Sequence, residues 1–283
     1  MSRPSIDFIY AQSLAWKQAT IWPPRADVSA KILSRDPGSG EVSAIVRYPV
    51  GWERREPEAL AVEEEFYVLK GTLTVNGRVY RRDTYACFPK GHVRHSASSE
   101  NGCDVLTFYS GTPEPSQVAN PMTHPSDLIE YIDLYEMPWD TQWADPSLAW
   151  MDPRRKVLRW DHDRGQVATV VFAKPPHIHP EHWSSPMLSH PCAEESFVLA
   201  GELVGERGTA RSGAYSWRPP GTPHGTQGSR TGGMSLARMR HGTLTNNWDG
   251  MTLAPFSFDA SYSPVVPPEL STVAIDYIGP ERY

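Results

Sequence analysis

An all-β protein made of two similar units is what this sequence predicts, and three observations predict it. A ten-residue phrase occurs twice, as EEFYVLKGTL from Glu64 and EESFVLAGEL from Glu194, so the chain is internally duplicated. The apolar runs around both copies are short, β-branched or aromatic, and turn residues interrupt them roughly every 8–12 positions, the pattern of a sandwich or barrel. The 27 prolines and 21 glycines among 283 residues leave little room for long helices.

The duplication extends beyond the phrase. The two glutamates lie 130 positions apart (194 − 64), and Gly71 and Gly201 keep that offset. So do the PxG turns, Pro89 and Gly91 in FPKG and Pro219 and Gly221 in RPPG. Upstream, KILSRDPGSGEVSAIVRYP from Lys31 is echoed by KVLRWDHDRGQVATVVFAK from Lys156, at an offset of 125.

In chain order, one helical stretch is expected around Ala11–Ala19. Strands follow at Val42–Tyr48, Phe66–Leu69, Leu73–Val75, Thr84–Phe88 and Val105–Tyr109, all runs of β-formers cut by Gly or Pro. Residues 112–152 carry six scattered prolines, with Pro153 just beyond, and read as a linker feeding an opening strand of the second unit. The second copy then gives Val167–Ala173, Phe197–Leu199, Ala214–Trp217 and Met234–Met239. The tail beyond Thr243 is too apolar for a disordered segment and reads as an ordered strap. The expected division is a first barrel over 1–112, a linker over 113–127, a second barrel over 128–243 and a wrapping tail over 244–283.

Composition narrows the function classes. A net charge of −6 argues against a nucleic-acid partner. No window approaches 18 consecutive apolar residues, so no membrane-spanning helix is expected. The N-terminus lacks the apolar run of a secretory signal. Cys87, Cys103 and Cys192 are too few and too scattered for a disulfide framework, so a reduced, cytoplasmic setting is expected. A small-molecule substrate is the expected partner, and the sequence leaves a homodimer open.

The repeated phrase with its PxG turn resembles the motifs of the cupin superfamily, HxHxxxE followed by six residues and Gly, then PxGxxH. The resemblance covers roughly residues 28–111 and 153–242 and implies two tandem jelly-roll β-barrels, a bicupin. The lead-in is most similar to ChrR-type cupins, with a more distant likeness to acetylacetone dioxygenase. In that family the motif side chains meet on the inner wall, because residues two apart on a strand share a face.

Carried onto this sequence, the second copy keeps His190, Glu194 and His224, while Leu188 stands where the first histidine belongs. Two imidazoles and a carboxylate suit Fe(II) with open positions, or Zn(II). The insertion KPPHIHPEHWSSPM adds His177, His179 and His182, of which His179 or His182 is the expected proton mover. Cys192 reads as a buried thiol. In the first copy the same positions are Glu58, Leu60, Glu64 and Arg94, so a Glu64–Arg94 ion pair is expected in place of a metal.

The resemblance therefore implies a metal-dependent enzyme in the second barrel, a dioxygenase acting on an enol, phenol or β-diketone. Lyase, isomerase or hydrolase chemistry on the same residues, with or without metal, and a ChrR-like metal sensor remain open alternatives.

Overall fold

A barrel wall needs side chains that alternate inward and outward along short strands. The computed structural model, which describes residues 3–18, 25, 27–116, 128–179, 186–253 and 256–283, contains two such walls. Among the described residues there is no α-helix, only short 3-10 turns, and no helix is long and apolar enough to cross a membrane. The helix expected over 11–19 is reduced to the turn Ala11–Ser13, because Lys17 and Gln18 are drawn into sheet pairing with Ala30 and Ser29.

The chain divides into two compact units, Met1–Arg3 with Leu14–Met137, and Pro4–Ser13 with Pro138–Tyr283. This corrects the expected boundaries at two strands. β1 (Ile6–Tyr10), read as part of the first barrel, pairs with β15 (Ala214–Arg218) in the second unit. β9 (Ile129–Asp133), read as opening the second barrel, pairs with β7 (Thr84–Phe88) in the first. Each visitor covers a sheet edge that would otherwise offer unpaired N–H and C=O groups.

The first unit is an eight-stranded sheet. Its path runs β2 (Lys17–Gln18), β3 (Ser29–Arg35), β4 (Val42–Arg54), β8 (Ala97–Tyr109), β5 (Glu64–Val75), β7 and β9, with β6 (Arg78–Arg81) on β5. The second unit runs β1, β15, β13 (Ala193–Gly205), β16 (Gly233–Arg240), β11 (Gln166–Lys174) and β10 (Arg154–Asp161), with β14 (Gly208–Arg211) on β13. A separate ribbon joins β12 (Pro186–Ser189) to β17 (Asn247–Leu253), so part of the tail is a strand. Three tyrosines further along the tail pack on the second unit. Tyr262 and Tyr277 lie against Phe8 and Tyr10, and the terminal Tyr283 is buried beside Phe197.

Pairing reproduces the duplication residue by residue. Glu64 lies opposite Phe88 and Tyr109, and Glu194 lies opposite Arg218 and Met239, each partner 130 positions on. Gly71 and Gly201 both hold positive φ, 75° and 68°. A Cβ at either would stand 1.9 or 2.0 Å from the carbonyl oxygen of Gly102 or Gly232. Only glycine admits so close a backbone approach. The phrase therefore repeats because its crossing repeats.

The two interiors differ. The first is filled: Phe66, Tyr80 and Phe88 meet edge to face with centroids 5.1–6.4 Å apart, and Tyr109 joins the same core. One offset later the corresponding residues are Ser196, Ala210, Arg218 and Met239. Smaller or polar side chains leave the second interior open.

Candidate metal centre

Alternation along β13 turns Glu194, Ser196 and Val198 to the interior, and β15 contributes Ser216 and Arg218 to the same space. These side chains line a cavity of about 170 Å³ in the second unit, walled by apolar groups that include Trp143, Phe172, Leu188 and Met239. The corresponding void in the first unit is about 10 Å³.

His190 follows β12, and its carbonyl accepts from the Gly221 N–H of the PxG turn. That turn delivers His224, whose backbone pairs with Leu188 in both directions. In the first unit the Gly91 N–H bonds the Leu60 carbonyl, and Glu58 pairs with Arg94 in the same way. The register read from the motifs is thus built into the backbone of both copies.

The structure brings His190, Glu194 and His224 together, with one donor atom from each within 4.8 Å of the others. His190 and His224 have ring centroids 5.1 Å apart, and His224 Nε2 lies 3.7 Å from Glu194 Oε2. Each imidazole uses Nδ1 on a backbone carbonyl, His190 on Thr245 at 3.1 Å and His224 on Thr222 at 3.2 Å. A carbonyl only accepts, so Nδ1 carries the proton and Nε2 keeps its lone pair for a ligand.

The charge states suit the same role. Burial, reinforced by the cation of Arg218, pushes the His224 pKa down to about 4, so the ring is neutral at pH 7. Burial alone would raise the Glu194 carboxyl, but His224, Arg218 and His190 outweigh it and bring it to about 2. With His224 neutral at pH 7, the permanent cation holding Glu194 ionised is Arg218, which donates Nη1–H to Oε2 at 2.9 Å. Arg218 also donates to Asp7 Oδ1 at 2.8 Å, so a β1 residue completes the charge pattern. A neutral His224, the His190 ring presenting Nε2 and an ionised carboxylate fit a divalent transition-metal ion. Leu188, in the place of a fourth donor, adds an apolar wall instead.

The loop histidines are placed differently. His177 is buried with both ring nitrogens on carbonyls, Pro175 at 2.7 Å and Gln227 at 2.9 Å. His179 stacks on Phe256 at 4.0 Å and does not line the cavity; its Nε2 is 3.4 Å from Oγ1 of Thr226, which does. The structure therefore separates His179 from the interior by one side chain, and burial lowers its pKa to about 4. His182 lies outside the described residues. Cys192 is a buried thiol among Val167, Val170, Ala237 and Met239, and burial raises its pKa to about 12. His241 is exposed.

Three residues of the site escaped the sequence reading: Asp7, Lys174 and Arg218. Arg218 had a signal, since it replaces Phe88 at the common offset. Asp7 had none, lying more than 200 positions from its partner.

In the first unit the expected pair is present: Arg94 donates to Glu64. It belongs to a larger cluster, because Glu58 accepts from Arg25 at 2.8 Å and lies 2.9 Å from Arg54 Nε. The Tyr109 hydroxyl caps the other Glu64 oxygen at 3.1 Å.

A family model described as a domain of unknown function, DUF4437, matches residues 7–245. No curated protein matches the chain. Among solved structures, a candidate dioxygenase from Nostoc punctiforme aligns with TM-score 0.73 and 19% identity, over 90% of this chain and 92% of its own. A candidate glyoxylate-induced protein from Pseudomonas aeruginosa gives 0.58 and 13%, over 86% and 92%. Oxalate decarboxylase from Bacillus subtilis gives 0.50 and 11%, over 86% and 78%. At such identities the likeness establishes the fold, two tandem cupin barrels.

Proposed function

The chain belongs to the DUF4437 family, a domain of unknown function, and from its site we propose a metal-dependent cupin enzyme that acts on a small oxygenated molecule in the second barrel. The observation that carries this reading is the convergence of His190, Glu194 and His224 within 4.8 Å on one wall of a 170 Å³ cavity. These three residues would hold Fe(II) or Zn(II). When bound, either ion supplies Lewis acidity, and iron adds redox chemistry.

The protein's own contribution is legible from the lining. Thr245 and Thr222 carbonyls fix the two imidazoles in the tautomer that presents Nε2. Arg218 keeps Glu194 anionic. The apolar walls exclude bulk water, which strengthens electrostatic interactions within. Room for a handful of heavy atoms suits an enol, a small phenol or a β-diketone-like molecule. Dioxygenase action is the leading reaction, in keeping with the Nostoc protein's standing as a candidate dioxygenase. A lyase or isomerase would use the same lining.

Elemental analysis of the purified chain, coupled to oxygen-uptake assays on those compounds, tests the reading. Near-stoichiometric iron or zinc is expected, abolished in Glu194→Ala and His224→Ala and unchanged in Glu64→Ala. Metal with no turnover of any compound would favour a sensor, and metal that survives Glu194→Ala would sink the site.

A further inference from the structure

Lys174 is the last residue of β11 and shares parity with Phe172, so both side chains turn to the cavity that holds the three candidate ligands. Its Nζ donates to Gln227 Oε1 at 3.1 Å. Among the described residues it forms no ion pair, although Glu194 and Arg218 lie within electrostatic reach. The other charged lining groups are already engaged with one another, Arg218 bridging Asp7 and Glu194. That trio carries one net negative charge, and Lys174 stands outside it.

A half-buried ammonium that makes no direct ion pair gains from a partner bringing negative charge to it. Burial lowers the Lys174 pKa only to about 8, so the group is still mainly cationic at pH 7. With a divalent ion on the triad, the lining of two carboxylates, Arg218, Lys174 and the metal would sum to two positive charges. Such a cavity selects anions.

We propose that Lys174 anchors an anionic oxygen of the substrate, a carboxylate or enolate, and so restricts the second barrel to small organic anions. This rests on the second-barrel cavity being the working site, and it deepens the functional reading by naming the substrate's charge. Lys174 acts here as a specificity determinant: it grips one end of a molecule whose other end faces His190, Glu194 and His224.

The test is calorimetric binding of acetate, pyruvate and acetoacetate, each against its primary amide, to zinc-loaded and to zinc-free protein. Wild type should prefer at least one acid over its amide by about tenfold or more, the scale of a charge-assisted hydrogen bond. Lys174→Met should remove that preference without changing zinc content, and Lys174→Arg should restore most of it. Lys174→Gln, which keeps a donor for Gln227, replaces the methionine variant if that fails to fold. No preference in wild type, or a preference that survives Lys174→Met, overturns the proposal. A protein that takes up no zinc yet shows a Lys174-dependent preference refutes the metal reading and leaves this one standing. A zinc-loaded protein without the preference does the reverse.

Discussion

Two side chains of the candidate site contribute to the pH response of the second unit, beside His179, whose pKa is lowered over the same range. His224 has its folded pKa depressed from 6.5 to about 4, so the folded state binds fewer protons than the unfolded one in that window. Its stabilising contribution is complete above about 6.5 and is lost as pH falls to 4. Glu194, depressed from 4.5 to about 2, contributes in full above about 4.5 and loses that contribution on further acidification. Urea titrations of metal-free protein should therefore show stability falling from pH 6.5 downward, and His224→Gln should flatten the slope between 6.5 and 4. An unchanged slope in that variant would assign the acid sensitivity elsewhere. In the first unit, Arg94→Ala should cost about 3 kcal/mol by leaving Glu64 short of its partner, with Arg25 at 3.8 Å and Tyr109 limiting the loss. Metal content should not change. The three candidate ligands and Arg94 were legible in the sequence, because motif spacing fixes which strand face each occupies. Lys174 was not. The lead-in offset of 125 sets it against Pro49, whereas its pairing with Gly233, against that of Tyr48 with Cys103, places it at Tyr48. A one-residue slip moves a side chain to the opposite face.

At the scale of elements, the two barrels differ in what their equivalent strands place inside. On β5 the interior residue after the motif glutamate is Phe66, and on β13 it is Ser196. On β6 and β14 the contrast is Tyr80 and Ala210. Sequence spacing predicted the plug in the first barrel as an ion pair. The aromatic filling beside it was equally written in the sequence, but core packing is the common meaning of aromatics and carries no site signal by itself. The contrast suggests a reciprocal change. Ser196→Phe copies the first barrel into the second and should fill the cavity while leaving His190, Glu194 and His224 in place. The expected result is retained zinc, lost binding of small acids and a stability change within about 1.5 kcal/mol. Undiminished ligand binding in this variant would show that substrates sit elsewhere.

For the whole molecule, the decisive feature is that neither sequence half contains its complete barrel. The boundary at 112 looked natural because the duplication starts only near residue 28, which left the first strand without a counterpart to reveal its sheet. Yet β1 supplies Ile6, Phe8 and Ile9, all buried, to the second unit, and Asp7 to Arg218. At about 1.5–3 kcal/mol for each buried side chain, those three alone contribute roughly 5–9 kcal/mol. That is comparable to the entire stability of a typical domain. A fragment spanning 128–283 should accordingly fail to fold: weak near-ultraviolet circular dichroism, no cooperative urea transition and no stoichiometric zinc. Joining Pro4–Ser13 to it through a flexible linker should restore all three, and the same fusion carrying Asp7→Asn should restore folding with a destabilised Arg218 site. If the bare fragment folded and bound zinc as tightly as the intact chain, β1 would be an accessory strand, and the charge pattern around Glu194 would not need its carboxylate.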